Sequence, residues 1–309
     1  VNVGVDFALF RHRLSGTIEY YNKYSVDLLA AINGSPTQGF GYTTLMTNNG
    51  KMVNRGVEIT LSGEIIRQKD FSWNASLLYA FNRNKVKHIS VQPSLWDSRI
   101  SMPTSYLMVG KPLYGIYAYK WAGLNENGDP QVYDAENNVT SGPARDYHAL
   151  VYCGTTVPIH NASLTNVLRY KGLEFSAMLI LDAGHKLRSS NIPSINMSNG
   201  RITSTAKGIV DRWTQPGDVT DVPRLLFSND TENFNTHRTE LYRYSDLFVY
   251  DASNIRLSNI SLAYRVPAHW CKKISLSGAR LQFNVENVAT FAFDSKANYD
   301  LGGKVKPNY

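Results

Sequence analysis

The sequence predicts an all-β chain folded as the wall of an antiparallel transmembrane β-barrel, with short turns at one end of the strands and long loops at the other. Three observations carry this. Apolar residues recur at every second position in segments of about ten residues, the length that crosses a bilayer when tilted. The segments come in pairs joined by short turns, and long stretches separate the pairs. No run reaches the ~18–20 consecutive apolar residues of a membrane helix; residues 28–32 and 177–181 are among the longest. The 309 residues are 43% hydrophobic. A mean hydropathy of −0.29 does not weigh against a barrel, whose lumen and loops are polar.

The first pair covers residues 3–10 and 14–24. Val3, Val5, Phe7 and Leu9 share one face, as do Leu14, Gly16, Ile18 and Tyr20, around the turn Arg11-His12-Arg13. Residues 25–54 are polar and glycine-bearing and are expected to form a loop. The second pair covers residues 55–65 and 71–83. In its second arm Phe71, Trp73, Ala75, Leu77, Tyr79 and Phe81 form an unbroken apolar face. The third pair, residues 161–182, turns at Tyr170-Lys171-Gly172. Leu164 and Leu168 line one arm; Phe175, Ala177, Leu179 and Leu181 line the other.

The last pair, within residues 250–287, shows a phase slip. Ile255 and Leu257 fall on one face, Ile260, Leu262 and Tyr264 on the other. A β-bulge near Ser258-Asn259 would bring them together. Ala279, Leu281, Phe283 and Val285 then alternate with Arg280, Gln282, Asn284 and Glu286. That polar set is too wet for a core, so the apolar set needs lipid or a second sheet. Between the second and third pairs, residues 112–121 and 131–133 flank the turn Asn125-Glu126-Asn127-Gly128-Asp129-Pro130; the short second arm favours a hairpin standing within the loop over two further spanning strands.

Charge is concentrated in the short turns. Arg11, Arg13, Arg67, Lys69, Arg169, Lys171, Lys272 and Lys273 face only Asp70, which equals the whole formal net charge of +7. Spread along one rim with no nucleic-acid motif, this charge solubilises hairpin tips or meets anionic lipid headgroups. No nucleic-acid partner is expected. The two cysteines, Cys153 and Cys271, give neither a disulfide framework nor metal spacing. No nucleophile elbow, phosphate-binding loop or zinc-protease motif occurs, and the histidines lack ligand spacing. Asn125, Asn127 and Asp129 suit a turn better than a calcium loop, which would need an acidic twelfth ligand. The residues therefore predict no enzyme, no cofactor and no metal.

One further stretch is specific. Asp251-Ala252-Ser253-Asn254-Ile255-Arg256-Leu257-Ser258-Asn259-Ile260-Ser261-Leu262-Ala263-Tyr264 resembles a signature of the SusC/RagA-like TonB-linked outer-membrane proteins. In the same order, the segments from Asn48 to Glu58, from Gly110 to Gly115 with Ala122-Gly123-Leu124 and Gly128-Asp129-Pro130, and Trp213-Thr214-Gln215-Pro216-Gly217-Asp218 are similar to further motifs of that family.

The resemblance implies a barrel of about 22 strands with an N-terminal plug, short periplasmic turns and long extracellular loops. It implies outer-membrane import of oligosaccharides or peptides, a SusD-like surface lipoprotein as partner, and energy from the TonB complex through the N-terminal region. Nothing resembling the plug or the closing strand is present, so residues 1–309 are expected to be the C-terminal part of such a barrel. On this view Glu19, Glu58, Asn74, Glu174, Arg280, Gln282 and Asn284 line the lumen, and the apolar set faces outer-membrane lipid. Tyr20, Trp73, Tyr170, Tyr264 and Trp270 would sit at the interfaces. Trp213, Pro216, Gly217 and Asp218 would lie in an extracellular loop near substrate or lid, or form a Pro-Gly turn around a buried Trp. The alternatives are a soluble secreted β-sandwich that binds carbohydrate, and a passive porin or adhesin barrel.

Overall fold

The computed structural model describes residues 1–33, 44–89, 108–142, 147–198, 201–202, 206–227, 237–273, 275–298 and 300–302. Eight strands form one antiparallel sheet in chain order: β1 (Asn2–Leu9), β2 (Leu14–Asn33), β3 (Thr44–Arg67), β4 (Phe71–Ile89), β5 (His160–Tyr170), β6 (Leu173–Ala183), β7 (Asn254–Arg265) and β8 (Arg280–Ala292). The four hairpins are those the alternation predicts. Two short helices, α1 (Arg238–Arg243) and α2 (Ala268–Lys273), lie outside the sheet.

Register converts the period-2 pattern into two continuous surfaces. Directly paired residues share a face, so the pairings can be followed across the sheet. One row runs Val5, Ile18, Ile59, Tyr79, Ala162, Leu181, Ile255, Phe291. A second runs Phe7, Gly16, Leu61, Leu77, Leu164, Leu179, Leu257, Ala289. The register slips at Leu257/Asn259, where Ser258 is one residue more than β6 offers and is itself opposed by two residues of β8, Asn287 and Val288. That is the bulge expected from the phase slip. Without it Ile255 and Leu257 would turn to the polar side.

No second sheet covers this apolar face among the described residues. Tyr170 is 54% exposed, Leu262 43% and Phe283 67%, whereas the packed clusters of buried side chains lie in the loops. Aromatics sort by height on the same face. The rows Phe71, Tyr170, Leu173, Tyr264 and Trp73, Leu168, Phe175, Leu262, Phe283 lie near the short turns. Tyr79, Phe81, Tyr20 and Phe291 lie toward the long loops. The two rows between, through Ala75 and Leu77, hold no aromatic residue from β2 to β8, and Phe7 on β1 is their one aromatic. From Phe71 to Phe81 the strand rises ~33 Å along its axis, or ~25 Å in height at a tilt of ~40°, the height of an outer-membrane apolar band. Asn166, the polar intruder on this face, accepts a 3.1 Å hydrogen bond from Trp73 Nε1, so its carbonyl is not left bare in an apolar medium.

Three expectations need correction or refinement. The loop assigned to residues 25–54 is largely strand: β2 runs on to Asn33 and β3 starts at Thr44. Backbone pairing continues there although the apolar alternation lapses, because ladder hydrogen bonds need no apolar face. Residues 34–43 lie outside the described residues. The basic turn at Cys271-Lys272-Lys273 is the end of α2, whose first amides follow Pro267, with Trp270 N and Cys271 N donating to the Pro267 carbonyl at 2.9 and 3.3 Å. Residues 112–133 do not join the main sheet. Gly115–Tyr119 pairs with Leu150–Thr155, and Trp121–Leu124, Pro130–Tyr133 and Val139–Thr140 make a separate small sheet.

Gly56 is required by close approach. The Tyr21 ring and the Phe81 carbonyl occupy the space a Cβ would take. Replacing Gly56 with valine is expected to destabilise the assembled protein by about 1–3 kcal/mol or more, since backbone lies on one side and cannot move aside. The thermal midpoint of the full-length protein in detergent reads this out; an unchanged midpoint would mean that Tyr21 does not rest on this strand.

Candidate functional site

The face opposite the apolar rows is polar. Glu19 lies directly across from Glu58, and the row continues through Ala80, Asn161, Asp182 and Asn254. Asn161 donates to Asp182 at 2.7 Å, and Arg256 stands 3.8 Å from the same carboxylate. Asn74 borders an open recess with Ser62, Ser76 and Thr165, where the Ser62 and Ser76 hydroxyls are 3.2 Å apart. Near the short turns, Arg169 donates to Glu174 at 2.7 Å and Arg280 donates to its other oxygen at 3.1 Å. Gln282 donates to Ser261 and Asn284 at 3.3 and 3.0 Å. By register all seven residues expected on the wet side share one face, and four of them, Glu174, Arg280, Gln282 and Asn284, are tied into short polar ladders.

The long loops pack into a separate body at the other end of the strands. Tyr117, Tyr119, Val132, Leu150 and Leu241 form one buried cluster; Ile195, Tyr242 and Phe248 form another, with Trp121 touching both. Arg188 ties the two together by donating to the carbonyls of Tyr117 at 2.7 Å and Ser245 at 3.2 Å. Lys186 meets Asp251 at 2.9 Å on paired short strands. Burial opposes the charge on Asp251, but hydrogen bonds from Ser253 and Lys186 outweigh it and hold the carboxyl at about 2, below its ordinary 3.8.

Asp129 is the hub of this body. Its carboxylate receives Arg224 at 2.8 Å on one oxygen and Arg238 at 3.1 Å on the other. Arg238 is 1% exposed and also donates to the Ile195 and Arg224 carbonyls and to Asn196 Oδ1. Burial lowers its pKa and the Asp129 charge works against that. The turn before Asp129 is closed by Asn125 Oδ1, which accepts from the amides of Asn127 at 3.0 Å and Asp129 at 2.9 Å. Its oxygens are therefore used by the protein itself, as the turn assignment anticipates.

Trp213 lies against Gly128, whose φ of +75° and missing Cβ leave room for the indole. Two backbone bonds fix the contact, Arg224 N to Gly128 O at 3.0 Å and Trp213 N to Val222 O at 2.8 Å. Asp218 Oδ2 accepts from Thr214 N and Oγ1, both at 2.8 Å, and from Gln215 N at 3.0 Å. These hydrogen bonds, from Thr214 foremost, hold its carboxyl below the usual range. Pro216 and Gly217 are exposed at the tip. The stretch combines a half-buried Trp that docks on Gly128-Asp129-Pro130 with a Pro-Gly turn open to solvent. Arg224 and Arg238 were invisible to sequence reasoning, since each is a lone cation in a polar loop and its partner Asp129 is about a hundred residues away in the chain.

Comparison with known proteins agrees with this architecture. Residues 1–288 match the family model described as TonB dependent receptor-like, beta-barrel. TonB-dependent receptor P3 of Formosa agariphila is 26% identical over 321 residues, covering 97% of this chain and 30% of that protein. TonB-dependent receptor SusC of Bacteroides thetaiotaomicron is 23% identical over 300 residues, covering 93% of this chain and 28% of that protein. Among solved structures, the RagAB peptide importer in its open-open state superposes with a TM-score of 0.72 at 21% identity, covering 98% of this chain and 32% of the other. The chain spans about a third of the length of the relatives it matches. From the matched family model, the two-faced sheet and the ordered motifs together, this chain belongs to the TonB-dependent receptor β-barrel family.

Proposed function

We propose that the chain forms part of the wall and outer mouth of an outer-membrane transporter that imports oligosaccharides or peptides. The wall would be sealed by lipid on the apolar face, and Glu19, Glu58, Asn74, Glu174, Arg280, Gln282 and Asn284 would line the passage. The observation that carries this is the register: eight strands present one unbroken apolar face and one polar face, as a pore wall in lipid must. β1 and β8 stand at the two ends of the sheet order, and open edges in lipid leave backbone groups unpaired. Further strands of the whole protein would complete the wall.

The loop body, with Trp213, Pro216, Gly217 and Asp218 at its surface, would form the outer mouth where cargo and a SusD-like lipoprotein lid meet. TonB would supply energy through a plug region elsewhere in the whole protein. Support for the lid comes from SusC among the relatives, and for peptide cargo from the peptide importer among the structural neighbours.

Uptake of labelled oligosaccharides and oligopeptides by cells with and without the full-length gene tests the proposal. One of the two classes should fail to enter the deletion strain, and the same class should stop entering wild-type cells when an uncoupler collapses the proton gradient. Uptake that persists in uncoupled cells would make the protein a passive pore.

A further inference from the structure

Above the upper aromatic rows the lipid-side face of the sheet changes character. Arg55 on β3 is directly opposite Arg83 on β4, one step beyond the Val57–Phe81 pair, and Val53 opposite Lys85 follows. No register shift intervenes, so Arg55, Arg83 and Lys85 project from the same face as Phe81. Lys87, at the register shift beyond, lines the same recess. All four are exposed. Val86 fixes the neighbouring loop at this height: Gly110 N donates to its carbonyl at 2.9 Å, and its amide donates to Lys111 O at 2.9 Å. Leu113 N donates to Asn84 Oδ1 at 2.7 Å. The result is a recess of about 520 Å³ that places these cations with Lys111 and Tyr152 above Phe81. Lys111 Nζ lies 4.7 Å from the Tyr152 ring centre.

Like charges directly across a strand pair are destabilising. Near the short turns Glu174 takes both Arg169 and Arg280, the latter directly opposite Arg265, whereas Arg55 has the neutral Asn22 Oδ1 at 3.2 Å as its acceptor. Among the described residues no carboxylate forms an ion pair with Arg55, Arg83, Lys85, Lys87 or Lys111. The cluster sits at the depth of lipid headgroups, with the apolar band directly beneath. Arginine forks match phosphate oxygens in pairs, and an apolar floor suits an acyl chain rather than a free anion.

We propose that this recess is a binding site for the phosphate groups of a phosphorylated glycolipid in the leaflet at the long-loop end, with its acyl chains against Phe81 and Tyr79. It lies at the opposite end of the strands from the basic short turns. The proposal rests on the membrane placement of the sheet and is independent of the cargo.

The test is native mass spectrometry of the full-length protein in detergent, probed with lipid A, with dephosphorylated lipid A, and with inorganic phosphate as competitor. Three proteins are compared: wild type, an Arg55→Gln/Arg83→Gln/Lys85→Gln/Lys87→Gln variant, and an Arg67→Gln/Lys69→Gln control at the far rim. The wild type and the control should retain lipid A, and retention by the quadruple variant should fall at least about tenfold. Dephosphorylated lipid should be poorly retained by all three. If the quadruple variant fails to assemble, Arg83→Gln/Lys85→Gln gives the same readout with less perturbation. Undiminished retention by the variant, or equal retention of the phosphate-free lipid by wild type, would overturn the site. Displacement of lipid A by an equal concentration of inorganic phosphate would make it a free-anion site and overturn the lipid assignment. Protein that remains assembled in water without detergent would instead refute the membrane placement itself.

Discussion

Arginine in place of Leu77 is expected to reduce assembly of the full-length protein into bilayers sharply, whereas arginine in place of the adjacent Ser76 leaves assembly nearly intact. Leu77 lies in the row that joins Leu61, Leu164, Leu179 and Leu257, midway between the aromatic rows. A cation at the midplane of a barrel's lipid face costs about 2–4 kcal/mol, a large share of a typical margin of ~5–15 kcal/mol. Ser76 points the other way and meets Ser62 at 3.2 Å, so a charge there enters a wet surface. Folding yield into liposomes, read from heat-modifiable gel mobility, and the urea midpoint both report the difference. Equal losses from the two substitutions would mean that sidedness has been misassigned. Full assembly of either protein in water without detergent would end the membrane interpretation.

Alanine in place of Asp129 is expected to release the loop body while leaving the strand wall in place. The substitution strands Arg238, 1% exposed, without its counter-charge, and breaking a buried ion pair from one side costs about 3–5 kcal/mol. Arg238 also holds Ile195, Asn196 and Arg224, so the contact of Trp213 with Gly128 should loosen as well. Asparagine at the same position keeps an acceptor and should lose less. Limited proteolysis within residues 206–227 and amide exchange in α1 would detect the release, with heat-modifiable mobility as the control for the wall. Unchanged protection in the alanine variant would show that apolar packing around Tyr242 and Leu241 suffices.

What was legible in the sequence was whatever lipid imposes. Within the apolar band each strand must keep one oily face, so the alternation from Phe71 to Phe81 and from Leu173 to Leu181 survives as a readable pattern. The bulge was legible for the same reason: a phase slip between Leu257 and Ile260 has few other remedies. Above the band that demand lapses, and the upper halves of β2 and β3 were lost to view although their backbones stay paired. The loop body obeys different rules. Gly115–Tyr119 is buried along its whole length, so it has no alternation to read. Arg238 is a buried cation that composition alone would place in solvent, and only the fold brings Asp129 to it. α2, six residues after a proline, is too short for helical periodicity to emerge.

The length of β2 and β3 has a mechanical consequence. From Tyr20, beside the upper aromatic rows, β2 runs 13 residues further to Asn33, a contour of ~43 Å. That exceeds the ~30 Å thickness of a hydrocarbon core, so the pair stands outside the membrane like a mast rooted in the wall. A rotation of about 5° at its foot carries its far end through ~4 Å at this contour length. The register shifts between Ser25 and Leu29, with Asp27 at a φ of +54°, mark where such a mast can bend. A change in strand tilt too small to open a gap in the wall would thus be magnified into a displacement at the outer surface comparable to the width of a side chain.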